Sequence, residues 1–248
     1  MKGIRAELKK QGLIIPVLCC VFPLLVNLIV SMSLSTRYEG YLLLHQQEYG
    51  LTNWQLILKE QTIVYFSEII YVVIAVLVYD IYKKELKDNA WIVIASSNYR
   101  YNSVILSKFA VIAMDILLYL ISNYICIIYI GYFQLHIGSI EIGLLMKSFV
   151  IQLFSGMLII SFFELLICVF RKINMILPVG IVMMIIDILL YYRDKVGLAL
   201  KVPITFISQC YTASIVDMVY IIVVGGFLSS LFLWKSGKRL KRNYDLEI

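Results

Sequence analysis

The sequence predicts an all-α polytopic membrane protein with six transmembrane helices, both termini in the cytoplasm and an N-terminal interfacial helix. Three observations support this prediction. Of the 248 residues, 61% are hydrophobic and 15% are charged, whereas soluble domains average about 45–50% apolar and about 25% charged residues. Six apolar stretches are each long enough to cross the hydrocarbon layer as a helix. Lysines and arginines are concentrated between these stretches, where loops would lie.

The six predicted spans cover residues 13–34, 61–80, 104–133, 142–170, 173–192 and 214–234. Together they make one transmembrane domain over residues 1–248. The stretch that begins at Leu13 follows a basic start, as a secretory signal would. Its length of about 22 residues exceeds the roughly 7–15 residues of a signal-peptide apolar core. We therefore expect it to remain in the protein as the first span.

Residues 1–12, MKGIRAELKKQG, are predicted to form a short amphipathic helix ahead of the first span. Ile4 and Leu8 are four positions apart and share one helical face, with lysines and arginines around them. A helix of this kind lies at the membrane surface. A basic tail that only fixes the topology explains the same residues, and the sequence leaves both interpretations open.

The placement of lysine and arginine predicts the orientation. With both termini in the cytoplasm, 16 basic residues fall on the cytoplasmic side and 6 on the outer side. The segments 35–60, 134–141 and 193–213 are then external. The loop 81–103 and the turn at Arg171-Lys172 are internal. We expect a multi-pass protein of the plasma membrane.

The internal loop at 81–103 contains apolar residues at helical spacing. They are Leu86, Ala90, Trp91, Val93 and Ile94. The run is too short, and too closely flanked by charge, to cross a membrane. It is therefore predicted to be a cytoplasmic helix with one exposed apolar face, and such a face favours docking onto another protein.

In topology the whole chain resembles permeases of the ABC-2 type, and about 24 residues around this loop resemble them in motif. The residues that carry the motif are Glu85, Asn89, Val93, Ile94, Ser97, Arg100 and Lys108. In that order they take the places of the family's Glu, Gly, Leu pair, Pro, basic residue and closing Lys. Asn89 and Ser97 are the two departures from the usual residues.

The resemblance implies that the loop is a coupling helix, which docks into a groove on a separate ATP-binding subunit. The docking residues would be Glu85, Leu86, Ala90, Trp91, Val93, Ile94, Arg100 and Lys108. It also implies two cytosolic ABC ATPase subunits and a second permease subunit, either this chain or a paralogue. The chain has no GxxxxGK[ST] phosphate loop, so ATP and Mg would be held by the partner ATPase and no cofactor by this chain. The alternative for Glu85, Arg100 and Lys108 is a solvated loop whose charges set the topology.

Short external loops, chain length and an Ile/Tyr/Lys-rich composition resemble the antimicrobial-peptide export and immunity permeases of Gram-positive bacteria. The function implied is a transport subunit, not an enzyme. It would move a hydrophobic or amphipathic substrate outward, for export or self-immunity.

Acidic residues inside the spans are the candidates for a substrate path, because charge at membrane depth is costly and marks functional positions. The candidates are Glu68, Asp115 and Glu164, whereas Asp187 and Asp217 lie nearer the outer surface and are weaker candidates. Three roles remain open for them. They could form interhelical contacts, line a path for a cationic peptide or amine, or bind protons or sodium.

No lysine or arginine is expected in the span interiors to pair with these acids. Hydrogen-bond partners are therefore predicted from helical spacing within the same span. Tyr119 follows Asp115 by four positions, and Ser161 precedes Glu164 by three. Both spacings place the two side chains on one helical face.

Other classes of function have weaker support. Nucleic-acid binding would need a solvated basic face, and the five cysteines have no metal-ligand spacing. An intramembrane metalloprotease would need HExxH, but the chain has only His45 and His136, both near the outer side. A secondary transporter or channel would show internal symmetry or broken helices. That class, and a membrane immunity protein that acts without an ATPase, remain the alternatives.

Overall fold

The computed structural model describes residues 2–44, 46–63, 65–87, 101–192, 207 and 210–245. Within these residues all regular structure is helical and no strand occurs. In this described part of the chain, five helices are long and apolar enough to cross a membrane, and one bent pair of helices makes a sixth candidate span. The predicted all-α polytopic membrane fold is confirmed.

A short helix and the first span form the N-terminal part. Helix α1 covers Lys2–Gln11 and α2 covers Ile14–Arg37, and a π-helical turn, Tyr38–Leu42, extends α2. Gly12 ends α1 with φ +76°, a left-handed conformation that glycine adopts without steric cost. This break turns the chain from the amphipathic helix into the span. Ile4 and Leu8, the predicted apolar face of α1, pack against the protein core.

The second span is bent. Helix α3 is a single turn, Gln46–Tyr49. Helix α4 covers Asn53–Ile63 and α5 covers Phe66–Lys87, and these two meet at 55°. Tyr65 stands at the junction with φ 59°, a conformation that is uncommon for a non-glycine residue. The single continuous span expected at 61–80 is therefore replaced by two helices with different axes.

Four longer helices complete the described chain. Helix α6 covers Tyr101–Tyr129 and continues into a π-helical turn, α7 covers Ile142–Phe170, α8 covers Ile176–Tyr192 and α9 covers Ile215–Asp245. The bounds of α7 coincide with the predicted span. Helix α9 runs well beyond residue 234, where the apolar stretch ends, because its last turns form a basic amphipathic surface.

The spans separate into a centre and a periphery. About half of the apolar stretch is buried in α6 and α7, at 50% and 56%, against only 17% in α9. Helix α7 packs along α9, α6 along α2, and α5 along α8. The main core lies where α5, α6, α7 and α8 meet, around Tyr71, Tyr82, Tyr119 and Phe163. The exposed faces of α2 and α9 are apolar, as surfaces in contact with lipid are.

Both ends of the described chain lie at one end of the bundle. Gly3 of α1 lies against Ser107, and Gly237 of α9 lies against Asn102, and both partners belong to the first turns of α6. The end of α5 reaches the same place through Glu85. We call this end, which carries α1, the end of α5, the start of α6 and the end of α9, the basic end, since most lysines and arginines lie there.

Candidate functional site

The predicted docking residues divide into a described and an undescribed group. Ala90, Trp91, Val93, Ile94 and Arg100 lie outside the described residues. Helix α5 ends at Lys87 and α6 begins at Tyr101, so Glu85 and Lys108 flank the connecting segment 88–100. Leu86 lies on the last turn of α5.

Glu85 and Lys108 are brought together in a buried ion-pair network at the basic end. Lys108 Nζ lies 2.7 Å from Glu85 Oε1 and 3.0 Å from Glu7 Oε2. Lys10 Nζ lies 3.0 Å from Glu85 Oε1 and 3.2 Å from Glu7 Oε1. Two ammonium groups therefore face two carboxylates, and the cluster is neutral. We call Glu7, Lys10, Glu85 and Lys108 the ion-pair cluster.

Three of the four side chains of the ion-pair cluster are shielded from solvent. The side chain of Lys108 is fully buried, and those of Glu7 and Glu85 are 9% and 5% exposed, whereas that of Lys10 is 52% exposed. Burial lowers the pKa of Lys10, but hydrogen bonds and charge attraction from Glu85 and Glu7 outweigh it and hold that pKa above its usual value. Buried charges that are not paired cost several kcal/mol, so this cluster constrains the position of α1 against α5 and α6.

A row of polar side chains leads from the ion-pair cluster into the core. Lys108 Nζ lies over the ring of Tyr82, 5.2 Å from its centroid. The Tyr82 hydroxyl donates a hydrogen bond of 3.0 Å to Glu164 Oε1. Glu164 is completely buried. Lys108, which the sequence places at the cytoplasmic start of the third span, is thus buried close to this acid, although its ion-pair partners are Glu7 and Glu85.

The hydrogen-bond partners predicted within the same helix for Asp115 and Glu164 are wrong. Asp115 accepts a hydrogen bond from the Gln11 side chain of α1. The Ser161 hydroxyl donates to the Leu158 carbonyl at 2.8 Å, not to Glu164. The real partners, Gln11 and Tyr82, come from other helices. Spacing within one helix could not reveal them, because it relates only residues of the same element.

Glu68 and Asp187 form a third polar region with Tyr71, away from the basic end. The Tyr71 hydroxyl donates a hydrogen bond of 3.1 Å to Asp187 Oδ2. Asp187 is close enough to Glu68 to act on it electrostatically. Glu68 is 1% exposed and Asp187 0%. Within the protein, Asp187 is thus as buried as Glu68 and Glu164, because α8 packs closely on α5.

Three amide side chains join α2, α4 and α6. Gln61 Nε2 donates to Asn27 Oδ1 at 2.8 Å and to Asn123 Oδ1 at 2.9 Å. Asn27 Nδ2 donates to Asn123 Oδ1 at 2.8 Å. Polar side chains that bond across helices stabilise packing in a membrane. This cluster therefore connects α4, the first part of the bent second span, to α2 and α6.

The chemistry available at these clusters is electrostatic and hydrogen-bonding. In the described residues no group of three or more His, Cys, Asp or Glu side chains is arranged to hold a metal ion. Carboxylates, ammonium groups and hydroxyls are instead paired across helices. Such pairs can hold helices together, change partners when helices move, or interact with a cationic substrate.

The fold and these clusters define an all-α membrane protein of several spans with buried polar networks between its helices. Comparison with protein-family models, with curated proteins and with solved structures gives no match to this chain.

Proposed function

We propose that the chain is the permease subunit of an ATP-driven exporter of the ABC-2 type. It moves a hydrophobic or amphipathic substrate outward, such as an antimicrobial or toxic peptide, for export or self-immunity. The chain itself is not an enzyme, and ATP and Mg are bound by cytosolic ABC ATPase subunits. The observation that carries the proposal is the ion-pair cluster, because its members Glu85 and Lys108 flank the segment proposed to dock on the ATPase.

The ion-pair cluster supports a coupling role for the flanked segment. Glu85 precedes residues 88–100 and Lys108 follows them, and the two side chains are 2.7 Å apart. Displacement of the segment therefore acts on α5 and α6 together. Glu7 and Lys10 join α1 to the same cluster, so the N-terminal helix moves with them. Charged partners in a low-dielectric environment resist separation. A movement of one helix is therefore passed on to the helices that are paired with it.

The orientation in this proposal places the basic end in the cytoplasm of a plasma-membrane protein. The positive-inside rule favours the side with more lysine and arginine near the spans. Both termini and the segment 88–100 then face the cytosol, where an ATPase can reach them. The apolar exposed faces of α2 and α9 face lipid or a second permease subunit, which is this chain or a paralogue.

A secondary transporter, a channel or a stand-alone immunity protein is the second candidate. The buried Glu68, Tyr71 and Asp187 region favours it, since acids at membrane depth mark ion or proton pathways. The bent second span, with its break at Tyr65, adds to this, because transporters build binding sites at interrupted helices. Such a protein would need no ATPase.

Purification of the tagged full-length protein tests the proposal. We expect a soluble ATP-binding subunit to copurify in mild detergent in a fixed ratio. Trp91→Ala should remove most of that subunit while membrane insertion stays unchanged, because a large aromatic residue of the docking face is lost. Phe170→Ala is the matched control, since Phe170 is a half-exposed aromatic residue at the other internal turn.

Two results would count against the proposal. One is a chain that purifies alone across several detergents, which would favour the second candidate. The other is equal loss of the subunit in the Trp91→Ala and Phe170→Ala variants, which would show that the segment is not the docking element.

A further inference from the structure

A groove between α7 and α9 at the basic end is lined by four cationic side chains. It has a volume of about 600 Å³ and is lined by Leu165, Val169, Trp234, Lys235, Lys238, Arg239 and Arg242. We call it the basic groove. Its volume is within the roughly 300–1,000 Å³ of small-molecule sites.

The basic side chains of the groove share one face of α9. Lys235, Lys238, Arg239 and Arg242 follow the spacing i, i+3, i+4 and i+7, which places them within one helical stripe. All four are exposed. None forms an ion pair with a carboxylate in the part of the chain that the structure describes. The described lining of the groove therefore has a net positive charge that a ligand can neutralise.

The position of the groove along the helix indicates the membrane headgroup layer. Trp234 stands where the apolar part of α9 ends and its basic part begins, and it is 52% exposed. Tryptophan is enriched at this depth of a bilayer. Lys238 Nζ lies over the Trp234 ring, 3.9 Å from its centroid, which holds a cation beside the interface.

The other wall of the groove is apolar. Leu165 and Val169 of α7 belong to the apolar part of that helix, and Val169 is 41% exposed. Farther along α9, Val223 and Phe227 are 62% and 67% exposed and extend the apolar surface into the bilayer. The groove thus combines cations with an apolar surface. These two parts match the anionic headgroup and the acyl chains of a phospholipid.

We propose that the basic groove binds an anionic phospholipid, with its phosphate among Lys235, Lys238, Arg239 and Arg242 and its acyl chains along Leu165 and Val169. Basic pockets between spans bind anionic headgroups in this way. A free phosphate would leave the apolar wall unused, and a soluble acidic protein would not reach a site in the headgroup layer. The proposal is independent of any ATPase partner.

Lipid binding to the full-length protein tests this site. The purified protein is delipidated and titrated with phosphatidylglycerol, with phosphatidylcholine or with inorganic phosphate, and bound lipid is counted by native mass spectrometry. We expect saturable binding of phosphatidylglycerol alone. Lys238→Gln with Arg242→Gln should weaken it roughly 30-fold, since each basic residue near a lipid surface contributes a factor of about five.

The matched control removes the same charge elsewhere at the basic end. Lys9→Gln with Lys241→Gln changes two exposed lysines that do not line the groove, and we expect less than a threefold change. Equal weakening in both double variants would overturn the proposal in favour of nonspecific attraction. So would equal affinity for the two lipids, or tight binding of inorganic phosphate.

A second measurement covers the case in which the groove variant does not fold. A photoactivatable phosphatidylglycerol is crosslinked to the unmodified protein, and the labelled peptides are identified. Labels on 165–169 and 234–242 support the groove. Labels spread evenly over the exposed faces of α2 and α9 contradict it.

Discussion

Glu85 and Lys108 are 23 positions apart in the chain, and their side chains form the shortest ion pair in the described residues. The sequence identified both residues, but as parts of a docking surface. Their contact with each other, and with Glu7 and Lys10, could not be predicted, because helical periodicity relates only residues of one element. The buried positions that pair across helices, such as Tyr82 with Glu164, carry no sequence signal of their own for the same reason.

At this scale Lys108→Met should destabilise the protein strongly. The substitution fills the same space but leaves the carboxylates of Glu7 and Glu85 with Lys10 as their one ion-pair partner among the described residues. Removal of one partner from a buried ion pair costs about 3–5 kcal/mol. Lys9→Met is the control, because Lys9 is exposed and such surface changes stay within about 0.5 kcal/mol. Thermal unfolding of the detergent-solubilised protein measures both, and similar Tm values would contradict a structural role for the cluster.

The bounds of whole elements were easier to predict than their contacts. Helix α7 begins and ends where its apolar stretch does, because hydropathy alone is enough to predict the bounds of a long central span. The bend between α4 and α5 was missed, since no glycine or proline marks the left-handed residue Tyr65. The extension of α9 beyond residue 234 was missed as well. A search for apolar residues stops where a helix leaves the hydrocarbon, although the helix itself continues.

The close packing of α5 against α8 can be tested at Gly180. Gly180 of α8 faces α5 so closely that a Cβ there would lie 2.8 Å from Ala75 Cβ and 3.2 Å from the Tyr71 carbonyl oxygen. Because the second neighbour is backbone, α8 must move. Gly180→Ala should therefore destabilise the protein by about 1–3 kcal/mol.

The control for this substitution is Gly143→Ala, since a Cβ at Gly143 meets nothing within 4 Å. Alanine favours helix over glycine by up to about 1 kcal/mol, so the control variant should be neutral or more stable. Urea or thermal unfolding of both variants gives the comparison. A Gly180→Ala variant as stable as the control would show that α5 and α8 do not pack as closely as described.

For the whole molecule, the decisive property is that α1 and the end of α9 lie at the same end of the bundle. This follows from contacts of Gly3 and Gly237 with the start of α6. The charge distribution predicts that this end is cytoplasmic. These are separate statements, because the first depends on packing and the second on how the chain enters the membrane. The proposed docking of an ATPase on residues 88–100 requires that this end is cytoplasmic.

Cysteine labelling from one side of the membrane tests both statements. Lys9→Cys and Lys241→Cys place thiols at the basic end, and Ser35→Cys places one at the other end, where α2 finishes. All three positions are exposed. With a membrane-impermeant maleimide, Ser35→Cys should react in intact cells, whereas Lys9→Cys and Lys241→Cys should react only after permeabilisation. The unsubstituted protein gives the background, since four of its five cysteines are buried. Labelling of Lys9→Cys and Lys241→Cys from opposite sides would contradict the fold. Labelling of both in intact cells would retain the fold but invert the orientation, and the segment 88–100 would then face away from any cytosolic ATPase.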